Sequence, residues 1–419
     1  MKTRINHFFP IFSSIRIILL ITFILFFSDQ LRSQWINCIS GSNVYSLASN
    51  GSNIFSGVYG VMRSTNGGMN WSQVNSGLGN TSVMALTISG TTLFAGTLSG
   101  QSHCGVFRST NNGENWTSLY TAFFNHYVTA MASNANTIFA GITGGSFTGL
   151  IRSTDNGDNW VVSNSGLTST HVYTLAYNGS NIFAGIGGIS GGIFRSTNNG
   201  ANWINVNNGL SPDIDVFSFA FIGSRMYAGS LNGIFLSTNN GNSWNSVSAL
   251  YTFSLAVSGT TIFAGSGGSG IYRSTNYGEN WTSINSGSTG SYNINCLFAH
   301  GSNLYAGTHL HGVWRRALSE IISIENISTE VPEEFKLKQN YPNPFNPFTN
   351  IEFSIPKLSN IKIAVYNMQG KEVAALLNER LSAGSYRVDF DETNLSSGIY
   401  FYRMETEEFI QTKTMVLIK

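Results

Sequence analysis

The sequence predicts an all-β protein, a seven-bladed β-propeller followed by a small immunoglobulin-like β-sandwich. Three observations support this fold class. An eight-residue motif occurs six times at a spacing near forty residues, which is typical of propellers and solenoids. A second motif, ending in glycine, occurs seven times over the same stretch. The composition changes sharply near residue 319 of the 419-residue chain, which indicates a domain boundary.

The eight-residue motif, called here the octet, has the form Ser-Thr-Asn/Asp-x-Gly-x-x-Trp. Serine, asparagine and aspartate side chains bond readily to nearby backbone amides, and glycine adopts positive φ, so the octet predicts a tight turn. Because six copies cannot be six active sites, we interpret the octet as structural. The copies are 64–71, 109–116, 153–160, 196–203, 237–244 and 274–281.

The second motif is an apolar, an aromatic and a small residue followed by glycine. One unit, 171–210, reads as four short strands at 172–176, 182–186, 192–196 and 203–206, joined by turns rich in Asn and Gly. Four antiparallel strands per unit make one propeller blade. The seven copies of the motif end at Gly57, Gly96, Gly141, Gly185, Gly229, Gly265 and Gly307.

The seventh unit has no octet and no fourth strand. The stretch Trp35-Ile36-Asn37-Cys38 closely matches Trp203-Ile204-Asn205-Val206, the fourth strand of another unit. We therefore expect the N-terminal strand to complete the last blade, which removes the exposed edges of an open array. Seven blades are predicted, with six or eight as alternatives. The three cysteines have no metal-ligand spacing and indicate no disulfide framework.

Charge is low and unevenly distributed. Only 10% of residues are charged and the formal net charge is +1, so nothing indicates a nucleic acid partner. Residues 35–318 contain no lysine, eight arginines and six acids, whereas 319–419 contain 14 acids and ten basic residues. We expect domains at 34–318 and 335–419 with a linker at 319–334. We also expect a monomer with no cofactor and no metal.

Residues 1–33 read as a secretory signal peptide. Lys2, Arg4 and Arg16 precede an apolar run at 17–27, which is too short to span a bilayer comfortably. A retained membrane anchor is the alternative. Export to the periplasm by this signal is expected.

The octet resembles the Asp-box, or BNR repeat, of sialidases, sortilin-type receptors, xyloglucan-active glycosidases and photosystem assembly factors. The resemblance covers 34–318 and implies the blade type, but not an activity, since these families share a fold and differ in function. The aspartate of the family motif is present only at Asp155; the other copies have asparagine, which keeps the turn-forming acceptor.

Residues 335–419 predict a small β-sandwich with strands near 350–355, 361–366, 385–390, 398–404 and 412–418. This segment resembles the type A C-terminal sorting domain of the type IX secretion system of Bacteroidetes-like bacteria. The resemblance implies handling by that secretion machinery and delivery to the outer-membrane surface or the medium. The matching residues include Tyr341, Pro342, Asn343, Pro344, Phe345, Asn346, Pro347, Gly370, Gly398 and Lys419.

No catalytic residues are expected. One arginine precedes the octet in each of five blades, so these five cannot meet in one sialidase-like pocket: Arg63, Arg108, Arg152, Arg195 and Arg273. Three further arginines are taken to lie outside that pattern and are too few to form such a cluster: Arg225, Arg315 and Arg316. A glycosidase needs two carboxylates about 5 to 9.5 Å apart. Asp213 and Asp215 are the alternative catalytic pair, although solvated loop acids are the favoured interpretation. His309 and His311 lack a third metal ligand nearby and are interpreted as part of a surface hairpin.

Aromatic residues in the connections between blades are the better functional lead. They are candidates for stacking on a glycan or a surface protein, or else they pack against neighbouring blades. The favoured hypothesis is a secreted, non-catalytic binding or scaffold protein. The alternatives are a xyloglucan-active or sialidase-like glycoside hydrolase, or a surface structural part without a small ligand. The candidate ligand-binding residues are Tyr120, Phe123, Phe124, His126, Tyr127, Tyr251 and Tyr292.

Overall fold

The structure is a computed structural model. It describes residues 35–78, 82–98, 105–120, 127–144, 148–285, 292–318, 321, 325–328, 330–346, 348–381, 383–391 and 395–418. The predicted signal peptide, 1–33, lies outside these ranges. The regular elements of the described ranges are β-strands, which confirms the predicted all-β class. Within the same ranges, no helix has the length and apolar character needed to cross a membrane.

The propeller strands follow one another with short connections. In chain order they are β1 (Ile36–Ile39), β2 (Ser46–Asn50), β3 (Asn53–Val58), β4 (Gly60–Ser64), β5 (Ser72–Gln73), β6 (Val83–Ser89), β7 (Thr92–Thr97), β8 (Val106–Ser109), β9 (Thr117–Tyr120), β10 (Tyr127–Asn134), β11 (Thr137–Thr143), β12 (Gly149–Ser153), β13 (Val161–Val162), β14 (His171–Asn178), β15 (Asn181–Gly187), β16 (Gly192–Ser196), β17 (Ile204–Asn205), β18 (Val216–Ile222), β19 (Arg225–Ser230), β20 (Gly233–Ser237), β21 (Asn245–Ser248), β22 (Thr252–Ser258), β23 (Thr261–Ser266), β24 (Ile271–Ser274), β25 (Thr282–Ser283), β26 (Ile294–His300), β27 (Asn303–Thr308) and β28 (Gly312–Ala317).

These strands form seven antiparallel sheets of four strands each. Six sheets take four consecutive strands, from β2–β5 to β22–β25, and the seventh has the order β1-β28-β27-β26. The strand β1 pairs with β28, with Ile36 opposite Arg315 and Asn37 opposite Trp314. The N-terminal strand thus occupies the fourth, outer position of the seventh sheet, whose inner strand is β26. The inner strands of the other six sheets are β2, β6, β10, β14, β18 and β22.

The seven motif glycines lie where consecutive blades meet. A Cβ added to Gly185 would lie 2.5 Å from the carbonyl oxygen of Val216, which begins the inner strand of the next blade. A Cβ at Gly307 would likewise lie 2.5 Å from Cγ1 of Val44, so the seventh blade packs on the first in the same way. Glycine is favoured at these positions because the next blade approaches too closely to leave room for a Cβ, which explains the repeated motif.

The octets form the expected turns. In 196–203, the hydroxyl of Ser196 donates to Oδ1 of Asn198 at 2.9 Å and accepts a hydrogen bond from the Gly200 amide at 2.8 Å. The same Oδ1 accepts from the Asn202 amide at 3.0 Å. All six octets contain these three bonds, with a carboxylate oxygen of Asp155 in the third copy. The serine and the third residue therefore satisfy backbone amides, which is a structural role.

The second domain is a sandwich of two four-stranded sheets. Their strand orders are β29-β34-β31-β30 and β33-β32-β35-β36. The core between them includes Ile351, Phe353, Ile363 and Tyr402, all fully or almost fully buried. The strands are β29 (Glu325–Ser328), β30 (Lys336–Leu337), β31 (Phe348–Ile355), β32 (Ser359–Tyr366), β33 (Glu372–Leu381), β34 (Gly384–Asp391), β35 (Gly398–Glu405) and β36 (Ile410–Leu417).

Two features of the sandwich differ from the sequence-based expectation. Residues 325–328, placed in the linker, form β29 and pair with β34. The strand β33 was not predicted either. Its buried Leu377 and half-buried Leu376 are adjacent, so the stretch lacks the strict alternation by which strands are recognised.

Candidate functional site

The two faces of the propeller carry different structures. Every inner strand begins at one face, called here the upper face, and ends at the other, the lower face. Because the strands of each blade are antiparallel, the loops between second and third strands lie at the upper face. The octets, which join third and fourth strands, lie at the lower face. Residues that begin the inner strands therefore surround the upper opening of the ring.

A β-bulge recurs at the beginning of the inner strands. In six blades the register shifts around the residue that follows the first buried residue of the inner strand, which leaves that residue without a partner on the second strand. Some of these side chains reach the neighbouring blade: the Thr129 hydroxyl donates to the carbonyl of Val172 at 2.6 Å. The bulge thus aims one side chain per blade along the upper opening. The bulged residues are Met84, Thr129, Tyr173, Phe217, Phe253 and Asn295.

Three consecutive blades place aromatic rings at this position. The ring centroids of Tyr173 and Phe217 are 5.0 Å apart, and those of Phe217 and Phe253 are 5.3 Å apart. Tyr251, just before the inner strand β22, adds a fourth ring at 4.7 Å from Phe253. These four residues are called here the aromatic cluster. Tyr173 is 39% exposed and the other three are partly exposed, so each residue of the cluster is in part accessible to solvent.

The carboxylate of Asp215 lies beside this cluster. Its Oδ1 accepts a hydrogen bond from the Gly188 amide at 3.1 Å. Burial raises the pKa of both Tyr173 and Tyr251, and the negative charge of Asp215 raises each further. Since one carboxylate acts on both phenols, Asp215 lies within electrostatic reach of the two tyrosines at the ends of the cluster.

Two glycines make room for the cluster. A Cβ at Gly187 would collide with the ring of Tyr173 and with the Asp215 carboxylate. A Cβ at Gly267 would lie 2.8 Å from the ring of Tyr251 and 2.9 Å from that of Phe253. Both glycines end or follow a second strand, so the upper-face loops leave space for the aromatic rings.

The two acids named as an alternative catalytic pair both anchor one loop. Asp213 Oδ1 accepts from the Ser190 amide at 2.6 Å, and Asp215 accepts from Gly188. Both amides belong to the loop between β15 and β16. The two carboxylates therefore anchor the same upper-face loop.

The predicted ligand-binding residues have different surroundings. Tyr251 belongs to the aromatic cluster. Tyr292 instead stacks on the imidazole of His311, with centroids 3.8 Å apart, which is packing within the seventh blade. Tyr127 begins β10 and is partly exposed, and Tyr120 ends β9. The remaining three, Phe123, Phe124 and His126, lie outside the described residues.

Sequence reasoning missed Tyr173, Phe217 and Phe253. Tyr173 was placed only in the alternating inner strand 172–176, and Phe217 and Phe253 were not singled out. Aligning the inner strands on Val172, Val216 and Thr252 reveals the signal, because the next residue is aromatic in these three consecutive units. The bulge that turns this residue toward the opening has no signature in a single unit.

The arginines of the lower face join consecutive blades. Each donates from Nη1 to the carbonyl of the fourth residue of the next octet, as Arg63 does to Asn112 at 3.1 Å and Arg108 to Asn156 at 2.9 Å. The interpretation of these arginines as structural is consistent with this geometry. The other members are Arg152 with Asn199, Arg195 with Asn240 at 2.6 Å, and Arg315 with Gly67 at 3.0 Å.

Arg315 therefore belongs to the repeated set, and its placement outside the pattern was wrong. It stands opposite Tyr305 on the second strand, as Arg63 stands opposite Phe55 in the first blade. The seventh unit lacks the octet by which the pattern was recognised, so the equivalence was hidden. For the same reason, Arg273 finds no octet in the next blade and donates to the carbonyl of Ile321.

Metal-ligating side chains do not gather in the described part of the chain: no group of three or more His, Cys, Asp or Glu is placed to hold an ion there. His311 stacks on Tyr292, and its Nδ1 lies 2.7 Å from the carbonyl of His309. The two free cysteines of the described residues, Cys38 and Cys296, both lie in the seventh blade. Burial raises the pKa of the Cys296 thiol to about 12, which disfavours the reactive thiolate form.

The proline-rich segment of the sandwich holds the C-terminal strand. The buried Phe345 donates its amide to Val416 at 2.9 Å and accepts from the Ile418 amide at 2.9 Å. Asn343 Oδ1 accepts from the Val416 amide at 2.9 Å, while Tyr341 is exposed. Of the other predicted sorting residues, Gly370 takes a positive φ in a turn and Gly398 begins β35, whereas Pro347 and Lys419 lie outside the described residues.

Residues 339–419 match the family model described as a secretion system C-terminal sorting domain. A search of curated protein sequences gave no match. The matched segment contains the proline-rich segment, both central strands β32 and β35, and the C-terminal strand. It accounts for the last fifth of the chain.

Solved structures similar to this chain are β-propellers. YCF48 bound to a D1 peptide has a TM-score of 0.54 at 13% identity, covering 68% of this chain and 94% of that one. The extracellular domain of BT4673 from B. thetaiotaomicron has a TM-score of 0.56 at 17% identity, covering 91% of this chain and 52% of that one. The GH74 xyloglucanase from Xanthomonas campestris has a TM-score of 0.55 at 12% identity, covering 88% and 67%.

At these identities the similarity establishes the fold alone, and the three proteins differ in what their names say they do. The sorting-domain match indicates handling by the type IX secretion machinery and export to the cell surface or beyond. The chain is therefore an exported β-propeller protein that carries a C-terminal secretion sorting domain.

Proposed function

We propose that the protein is a non-catalytic binding propeller, made of Asp-box repeats, whose ligand site is the aromatic cluster of the upper face. The observation that carries the proposal is the contact of four partly exposed rings across three blades. Aromatic faces of this extent supply apolar contact and stacking for a glycan or a protein segment. The ligand reaches the site outside the cell, and the protein acts as a monomer.

The arrangement of the charged residues supports a binding role over catalysis. The arginines of the lower face are occupied with octet carbonyls, so they do not form the cluster that a sialidase-like site requires. Glu114 and Asp158 lie 3.5 and 2.7 Å from Arg63 and Arg108, respectively. The octet residue Asp155 accepts bonds from its own turn.

A binding screen tests this proposal. The full chain is screened on arrays of polysaccharides and of outer-membrane proteins, and each binder is then measured with Tyr173→Ala and Tyr251→Ala variants. Removing one partly exposed ring is expected to weaken binding about five- to tenfold, the equivalent of about 1 kcal/mol. Tyr59→Ala is the matched control, because Tyr59 is a 60% exposed upper-face tyrosine in the first blade. Equal effects in all three variants contradict the proposed site.

Glycoside hydrolysis is the alternative function. Two observations favour it: the fold similarity to a xyloglucanase, and the position of Asp213 and Asp215 on the upper face. Both carboxylates accept hydrogen bonds from backbone amides. Replacing each of them in turn by alanine tests whether it is catalytic. Turnover of xyloglucan or sialosides by the full chain, abolished in Asp213→Ala or Asp215→Ala, would replace the binding proposal with this one.

A further inference from the structure

The charges of the propeller are separated between its faces. Six of the eight arginines donate to lower-face octets or, for Arg273, to Ile321. The remaining two are also engaged: Arg225 stacks on the ring of the octet residue Tyr277 at 4.1 Å, and buried Arg316 donates to the carbonyl of Ile284. The propeller sequence contains no lysine. Its basic side chains therefore lie away from the aromatic cluster.

The upper face, by contrast, carries the carboxylates Asp213 and Asp215. Only Oδ1 of Asp215 accepts a hydrogen bond from the described residues, so its second oxygen has no donor among them. The negative charge is close enough to act on both Tyr173 and Tyr251. His171, at the start of the strand that contains Tyr173, is a further ionisable side chain on this face. A half-buried carboxylate without a cationic partner favours a positively charged ligand.

The aromatic cluster favours the same kind of ligand. The faces of tyrosine and phenylalanine rings attract ammonium and guanidinium groups through their quadrupoles, and a nearby carboxylate strengthens that attraction. The cluster provides aromatic faces, with a tyrosine at each end and Phe217 and Phe253 between them. Asp215 beside it provides the negative charge, so both attractions act at one place. An anionic ligand such as a sialoside would meet repulsion here.

We propose that the aromatic cluster and Asp215 bind a lysine or arginine side chain of a protein ligand. The inference rests on the proposed function and specifies its ligand. A long, flexible side chain can reach a half-buried carboxylate, whereas the ammonium of an amino sugar is attached directly to a bulky ring. The four rings extend over three blades, which is sufficient for the flanking residues of a peptide to make contact as well.

The test measures binding of short peptides to the full chain by calorimetry. The probes are Gly-Xaa-Gly-Xaa-Gly peptides in which Xaa is Lys, Arg, Gln or Glu, with a glucosamine tetramer and a neutral xyloglucan oligosaccharide for comparison. We expect the Lys and Arg peptides to bind, and the Gln and Glu peptides to bind at least about tenfold more weakly, because charge and ring contacts are both lost.

Asp215→Asn and Asp213→Asn form a matched pair of variants. Asparagine keeps the oxygen that accepts the Gly188 or Ser190 amide, so the loop between β15 and β16 stays anchored in both. Asp215→Asn is expected to weaken binding of the Lys peptide about tenfold, and Asp213→Asn less than about twofold. Thermal melting of each variant checks that the fold is kept.

Several results would overturn the proposal. Equal losses in the two Asn variants would assign the effect to general surface charge. Tighter binding of the glucosamine tetramer than of either basic peptide would reject a protein ligand, and no binding of any basic probe would reject a cation site. A further result of this kind is binding of the neutral oligosaccharide that is abolished by Tyr173→Ala and unchanged by Asp215→Asn. That result would support the proposed binding function and reject the cationic ligand.

Discussion

The indole nitrogen of Trp35 donates a hydrogen bond to the carbonyl oxygen of Ile284 at 2.9 Å, joining residues 249 positions apart. The octet tryptophan Trp203 makes the corresponding bond to Ser163 of the preceding blade at 2.8 Å. Trp116 and Trp244 do the same with Val74 and Val206. Trp35 thus takes the place of the octet tryptophan that the seventh unit lacks, and the N-terminal strand joins the seventh blade to the sixth.

Replacement of Trp35 by alanine is therefore expected to destabilise the propeller strongly. The side chain is 3% exposed and packs among Ile271, Ile284 and Ile294, so its loss leaves a cavity, although the carbonyl of Ile284 keeps its hydrogen bond from Arg316. The expected cost is about 3–5 kcal/mol of unfolding free energy, measured by urea denaturation. Ile36→Ala is the control, since Ile36 is 54% exposed on the same strand, and about 0.5 kcal/mol or less is expected. Similar costs for the two variants would show that Trp35 does not close the ring.

A second prediction concerns the contact between the fifth and sixth blades. Leu236 stands where other blades have the bridging arginine, and the Tyr227 hydroxyl instead donates to the carbonyl of Tyr277 at 3.0 Å. In the seventh blade, Tyr305 donates to Gly67 at 2.9 Å, but Arg315 donates to the same carbonyl. Tyr227→Phe removes the sole described donor, whereas Tyr305→Phe leaves one in place.

The expected cost of Tyr227→Phe is about 0.5–1.5 kcal/mol, and that of Tyr305→Phe is smaller. Chemical denaturation of the two variants, each with a single hydroxyl removed, gives the comparison directly. If Tyr305→Phe is the more costly change, the carbonyl of Gly67 depends on the phenol rather than on the guanidinium.

The repeat period made the propeller predictable, and it also determined what was missed. The octet and the glycine motif recur because each satisfies the same backbone or packing requirement in every blade, so the sequence repeats them. The aromatic cluster arises from differences between blades: Tyr173, Phe217 and Phe253 stand where other units have Met84 or Thr129. Residues that repeat in every blade predict the scaffold, whereas the proposed binding site consists of residues that differ from blade to blade. Strand β29 was missed for a further reason, because its partner β34 lies about sixty residues away and no local pattern indicates the pairing.

A third prediction compares two motif glycines. A Cβ at Gly185 would meet the backbone oxygen of Val216 at 2.5 Å, and a backbone atom cannot rotate away. At Gly229 the nearest atom is Cγ2 of the Thr252 side chain at 2.8 Å, with the backbone oxygen at 3.3 Å. Gly185→Ala is expected to cost about 1–3 kcal/mol through separation of the fourth and fifth blades, and Gly229→Ala less. Thermal denaturation of both variants measures the difference. Equal melting temperatures would contradict the close approach at Gly185.

The last prediction concerns Asp155, the aspartate that stands where the other octets have asparagine. Hydrogen bonds from the Asn159 backbone amide, the Asn159 side chain and the Ser153 hydroxyl lower the pKa of its carboxyl to about 2. Because the folded pKa lies below the ordinary value of 3.8, the carboxylate contributes stability above pH 4. That contribution is lost as the pH falls from about 4 to about 2.

The stability of the wild-type protein is therefore expected to fall more steeply below pH 4 than that of Asp155→Asn, whose amide does not titrate. Urea denaturation midpoints of the two proteins at pH 7, 4 and 2.5 measure the difference. Asn198→Asp provides the reciprocal test, because it places a carboxylate in an octet with the same three hydrogen bonds and should add the same acid sensitivity. If the curves of the wild type and Asp155→Asn stay parallel down to pH 2.5, the turn does not favour the charged form.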